Sequence, residues 1–209
     1  HSTSASSFYG GLIYQYRKHK ALCGCFAAMI LLTMFSRNFV GVHTPQDVVV
    51  GCLLGIIGVL IANKLFDLAD AHKNADLYIW LGAAVAAVAA LCYVSLKSYP
   101  RDYVDGVLLV DPDKMIVDSF IHPGTFFGII TGWFLERRFV HFEIKGTAAQ
   151  KVTRAIIGGL LYALYYTAVM SYVAKLIGHG MAHFALQASG PILFMVVYPM
   201  IFTRLQKTE

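Results

Sequence analysis

Charge is scarce in this chain. Of 209 residues only 14% are Asp, Glu, Lys or Arg while 57% are hydrophobic, a balance that excludes an ordinary soluble domain. Cysteine is sparse as well: Cys23, Cys25, Cys52 and Cys92 all lie inside apolar stretches. That pattern indicates neither a disulfide framework nor a zinc site, and leaves four small buried hydrophobes. No signal peptide is visible and the first residue is a histidine, so the natural start is expected to lie upstream. Neither a repeat period nor a low-complexity tract is present. The net charge of +5 does not mark a nucleic-acid binder, because the basic residues fall in short clusters between hydrophobic runs.

Those runs are what the chain has in abundance. They cover residues 1–16, 21–35, 45–66, 77–95, 120–135, 155–177 and 182–203, and they predict an all-α, polytopic transmembrane helical bundle. Gly51 with Gly55, and Gly124 with Gly128 and Gly132, form small-residue faces that let a second helix approach closely. The longest polar connection, residues 97–118, carries Asp102, Asp105, Asp111, Asp113 and Asp118. These acids lack the spacing and central glycine of a calcium loop, so a solvated loop is expected. His122, beside Pro123, is read as structural. His179 and His183 stand four apart, a spacing that can put two metal ligands on one helical face. No acidic or third nitrogen ligand is near them in sequence, and neither a metal nor any other cofactor is expected.

Chemistry concentrates in Ser36–Asp47, SRNFVGVHTPQD, between two apolar runs. Thr44-Pro45-Gln46-Asp47 predicts a helix start, with threonine as N-cap, proline at the first helical position and an acid at the third. His43 then stands just ahead of a helix N-terminus, where free N–H groups and the helix dipole favour an anion. Asp47, four residues on, is close enough to accept a hydrogen bond from one imidazole nitrogen and leave the other as nucleophile or base. Arg37 offers a planar fork of donors suited to phosphate. Singly, each has a plainer role: a charge at a helix C-terminus, a cap, an interfacial histidine. Together at a membrane edge, where ionisable groups are costly, they point to function.

Ser36-Arg37, five residues, His43, three residues and Asp47 resemble the last signature motif of the phosphatidic acid phosphatase type 2 superfamily, membrane lipid phosphate phosphatases. The resemblance implies that His43 is the nucleophile, that Asp47 orients it and that Arg37 holds phosphate oxygens, with Ser36 in support. His1, followed by Ser-Thr-Ser-Ala-Ser-Ser, resembles the histidine of the family's middle motif. On that reading the chain begins at this motif and His1 protonates the leaving alcohol; the plainer reading is an arbitrary boundary. The resemblance covers residues 1–66. It implies that residues 1–74 are the C-terminal half of the catalytic core, three helices, with 75–209 a four-helix transmembrane extension. The family's first motif, a lysine and an Arg-Pro, is not in these residues, which leaves open whether they are active without it.

Seven runs divide the loops into two sets, one holding twelve of the seventeen Lys and Arg residues and the other five. The positive-inside rule puts the richer set in the cytoplasm, and His1, Arg37 and His43 on the extracytoplasmic face, of the cell membrane by expectation. The expected activity is hydrolysis of a lipid phosphomonoester or diphosphate, of the phosphatidate, phosphatidylglycerophosphate or polyprenyl diphosphate type, through a phosphohistidine. A phosphotransferase using the same histidine, or a protein that binds or moves a phospholipid without cleaving it, remains an alternative. The expected partners are that lipid phosphate and the bilayer; the oligomeric state is left open.

Overall fold

The structure, a computed structural model, describes residues 1–109, 111–177 and 180–206, and side chains as far as residue 203. It is an all-α polytopic helical protein with almost no strand. The chain divides into two compact units, His1–Ala75 and Asp76–Glu209.

The first unit holds α1 (Ser2–Gln15), α2 (Lys20–Phe39) and α3 (Pro45–Ala71). Helix α1 packs chiefly on α3, and α2 returns between them in the chain. Ser2 and Ser6 are buried on α1, and the Ser6 hydroxyl donates to its own helix at the Ser2 carbonyl, 2.7 Å. Facing them are Gly51 and Gly55 of α3. A β-carbon added at Gly55 would stand 2.7 Å from both the Ser6 Cβ and the Thr3 carbonyl oxygen, and one at Gly51 would stand 3.0 Å from the Thr3 hydroxyl. Further along, Gly10 meets Val59. Residue numbers rise together on the two helices, so α1 and α3 run parallel and their N-termini lie at one end.

The second unit begins with α4 (Ala75–Leu96, its first residue in the other unit) and a short hairpin, β1 (Tyr103–Val104) with β2 (Val107–Leu108). Its turn is Asp105-Gly106, both with positive φ (51° and 78°), the two-residue turn that Asp-Gly favours. Helix α5 (Pro112–Leu135) continues into a π-helical turn at Glu136–Val140. Then come α6 (Ala148–Leu164), a π-helical turn at Tyr165–Val169 and α7 (Met170–Leu176). The chain ends with α8 (Met181–Ile192), a π-helical turn at Leu193–Val197 and α9 (Tyr198–Gln206). Gly124 and Gly128 of α5 press on the backbone of Phe184 and Ala188 of α8, again in parallel register. The Trp80 indole donates to the Thr131 hydroxyl at 3.0 Å and stacks on Phe134. Asp76, buried, accepts two hydrogen bonds from Arg138, at 2.6 and 2.7 Å.

Two helices start well before the apolar runs suggested, and each of the two has a side-chain cap. Asp111 accepts the N–H groups of Asp113 and Lys114 ahead of Pro112, so α5 begins eight residues before the expected Phe120. Thr147 and Gln150 form a capping box ahead of Ala148, seven residues before Ala155. Polar caps define helix ends; apolar runs define only the part that meets lipid.

Among the described residues, five helices are long and apolar enough to cross a membrane: α2, α3, α4, Ala148–Leu176 and Met181–Thr203. At most 17% of any of these apolar windows is buried inside the protein. Leu31, Val85 and Leu160, each more than 60% exposed, show where the rest of that surface goes. Exposed aliphatic helix faces on this scale are stable only against lipid. Of the seven expected spans, α1 has 14 residues and α5 is the more polar, carrying Asp113, Lys114, Asp118 and His122. The protein is an integral membrane protein.

Candidate active site

The site is built by the ends of three helices in the first unit. Helix α2 runs through Ser36 and Arg37 to Phe39, so these two residues sit on its C-terminal turns, just past the apolar run. The Ser36 hydroxyl donates back to the Thr33 carbonyl at 2.8 Å. Arg37 is half-buried in the last turn, where a cation complements the helix dipole. Among the described residues its guanidinium takes part in no hydrogen bond or ion pair. Gly41, just past the C-cap Val40, has φ of 72°, and this left-handed step turns the chain toward α3.

The predicted start of α3 is present in full. The Thr44 hydroxyl accepts the Asp47 N–H at 3.3 Å, and the Asp47 Oδ2 accepts the Thr44 N–H at 3.1 Å, a reciprocal capping box. Pro45 occupies the first helical position. The hydrogen bond from His43 to Asp47 that the spacing suggested is not among those formed. Asp47 Oδ2 instead accepts the backbone N–H of Thr44 in the cap. Its Oδ1 is not engaged by the cap.

His43 is exposed, and the ring that faces it is that of His1. Their centroids are 6.4 Å apart with planes inclined at 55°. His1 is the N-cap residue of α1; its carbonyl accepts the Ala5 N–H at 2.9 Å and its side chain makes no capping bond. Two residues 42 positions apart in sequence therefore meet because α1 and α3 are parallel and closely packed. The residues that enforce this, Ser2 and Ser6 against Gly51 and Gly55, carry no chemistry and were not recognised as part of the site. The signal was there: Ser2, Ser6 and Gly10 recur at four-residue spacing on α1, and Gly51 and Gly55 on α3.

This end of the unit presents the imidazoles of His1 and His43 and the N-terminus of α3, with the half-buried Arg37 in the last turn of α2, six residues before His43. Free N–H groups and the dipole at the start of α3 favour an anion there.

Comparison with known proteins adds a second line. A family model described as the PAP2 superfamily matches residues 1–70. A second, described as the PAP2 superfamily phosphatase, transmembrane extension, matches residues 120–209. The chain belongs to the PAP2 superfamily. No curated protein and no solved structure gives a significant match. As a PAP2 superfamily phosphatase with a transmembrane extension, the protein is a membrane phosphatase, of the phosphoric ester hydrolase class, in contact with the lipid bilayer. All five candidate residues, His1, Ser36, Arg37, His43 and Asp47, fall within the first match. Of the two histidines read for metal spacing, His183 is buried on α8, and His179 lies outside the described residues.

Proposed function

We propose that this PAP2 superfamily phosphatase removes phosphate from a membrane lipid phosphomonoester or diphosphate through a phosphohistidine on His43. The observation that carries the reading is the facing pair His1 and His43, 6.4 Å between ring centroids, at the joint N-terminal end of α1 and α3. A nucleophile needs to approach phosphorus to about 3–3.5 Å, and a general acid needs a hydrogen bond of about 2.6–3.2 Å to the leaving oxygen. One tetrahedral phosphoryl group between the two rings meets both demands.

Neutral His43 attacks phosphorus in line, forming a P–N bond as the P–O bond to the lipid breaks. The proton that leaves with the lipid alcohol, or with the lipid monophosphate when the substrate is a diphosphate, comes from the His1 imidazolium. Neutral His1 then takes a proton from water, whose oxygen attacks phosphorus, and the P–N bond breaks to release phosphate. Splitting one displacement into two lowers the barrier to each. Arg37 and the N–H groups after Thr44 stabilise the equatorial oxygens, where charge accumulates. Ser36 supports the arginine's turn, and Asp47 Oδ1 holds the His43 tautomer and steadies its imidazolium once substrate draws the ring into place. Side chains and N–H groups supply the countercharge, so the reading assigns no metal. The charge asymmetry of the loops orients this site to the extracytoplasmic face of the cell membrane.

The test is phosphate release in detergent by the protein, expressed with whatever its gene encodes ahead of His1. Diacylglycerol phosphate and polyprenyl diphosphate are offered without added metal. His43→Ala should reduce turnover by at least about 10³-fold with the thermal unfolding profile unchanged, and acid-labile phosphate should appear on the wild-type chain only. Turnover retained in the variant would end the nucleophile assignment. Phosphate transferred to an added acceptor lipid in place of water would make the protein a transferase using the same histidine.

A further inference from the structure

The second unit carries a cavity that the phosphatase reading does not use. It lies at the start of Ala148–Leu176 and the end of Met181–Thr203, two of the helices long and apolar enough to cross a membrane, and has a volume of about 230 Å³. Its wall is almost wholly apolar, from Phe142, Ile144, Ala155, Pro199 and Phe202. Lys151 and Arg154 of α6 also line it. Since the wall is apolar, they contribute their aliphatic stems and carry their charged heads outside it, as long cationic side chains do at a membrane boundary.

The charges around this cavity are unequally matched. Arg138 is bonded to Asp76, Lys145 pairs with Glu143, and the Glu136 carboxylate accepts the Phe142 N–H at 2.9 Å. Among the described residues, neither Lys151 nor Arg154 is in an ion pair. Arg154 is nonetheless held in place: one Nη1 hydrogen goes to the Lys145 carbonyl at 2.9 Å, its guanidinium lies 5.1 Å over the Phe202 ring, and its own carbonyl accepts the Tyr198 hydroxyl at 2.6 Å. A fixed guanidinium that keeps donors in reserve is suited to a phosphate oxygen.

We propose that this cavity binds an anionic glycerophospholipid of the surrounding bilayer, with its phosphate on Lys151 and Arg154 and an acyl chain along the Phe142, Ile144 and Phe202 wall. A soluble anion would leave the apolar wall unused, and a neutral lipid would leave two unpaired cations at the mouth. Basic pockets between membrane helices, at the level of the headgroups, match both halves of such a lipid.

The experiment measures association of spin-labelled phosphatidylglycerol and phosphatidylcholine with the protein in bilayers. The wild-type chain should retain the anionic lipid in preference. Lys151→Gln should cut that preference about fivefold, and Lys151→Gln with Arg154→Gln should cut it further. Ala155→Trp, which fills the cavity and leaves both charges, should also reduce it. Lys145→Gln, whose charge Glu143 already offsets, should not. Thermal unfolding of each variant identifies any that fails to fold, and Lys151→Gln, at an exposed side chain, carries the test if the double variant is lost. A preference unchanged in both Lys151→Gln and Ala155→Trp overturns the proposal. So does a preference that falls as far in Lys145→Gln, which would reduce the effect to diffuse surface charge.

Discussion

Two helix pairs in this protein use one device for different ends. In the first unit α1 and α3 run parallel with Ser2 and Ser6 against Gly51 and Gly55; in the second, α5 and α8 run parallel with Gly124 and Gly128 against the backbone of Phe184 and Ala188. Small residues at four-residue spacing let two helices meet at backbone distance, where dispersion contacts are dense and sliding is blocked. The first pair brings His1 to within 6.4 Å of His43, which stands just ahead of the α3 cap, and so makes a candidate site. The second pair carries none of the candidate residues; the Trp80–Thr131 and Asp76–Arg138 bonds tie α4 to α5 and to the turn that follows it. Close packing sets the register; what stands ahead of the helix decides whether the register does chemistry.

That contrast can be broken by enlarging one glycine at a time. Gly55→Leu drives a side chain into Ser6 and the Thr3 carbonyl, moving His1 away from His43. The expected result is a loss of kcat of about 10²-fold, the cost of misplacing a reacting group by about 1 Å, measured with wild-type phosphate release as reference. Activity undiminished in that variant would show that His1 is not needed where the structure places it. Gly128→Leu meets the Ala188 backbone and should cost about 1–3 kcal/mol of stability, read from unfolding in detergent, while kcat per folded molecule is unchanged.

Smaller changes sharpen the comparison. Asp76→Asn leaves Arg138 without its bidentate partner and should lower the unfolding temperature, though less than Gly128→Leu, because the arginine is a third exposed and water takes part of its place. Trp80→Phe keeps the stacking on Phe134 but loses the hydrogen bond to Thr131. It should cost about 1 kcal/mol with no change in turnover. A fall in kcat in either variant would give the second unit a part in catalysis.

Much of the candidate site's local structure was legible in sequence because its signals are local. Thr44-Pro45-Gln46-Asp47 specified its own helix start, and Ser36, Arg37, His43 and Asp47 stand at spacings that a resemblance can detect. Less legible were the polar helix starts at Asp111 and Thr147, although both follow the rule that identified Thr44. A search led by hydropathy stops where the lipid-facing surface stops, and the first turns of α5 and α6 lie beyond it. The Asp105-Gly106 hairpin was missed for a related reason, since five acids drew attention to charge and away from turn chemistry.

The sequence by itself determined that the chain crosses membranes as helices, because runs of apolar residues of that length have no other stable environment. It determined the cap of α3 and the residue types gathered beside it. Tertiary structure alone decided that His1 faces His43, since no local rule relates residues 42 apart; the parallel packing of Ser2 and Ser6 on Gly51 and Gly55 does. And it set Lys151 and Arg154 at one cavity with Phe202, from helices α6 and α9 whose sequences give no sign that they meet.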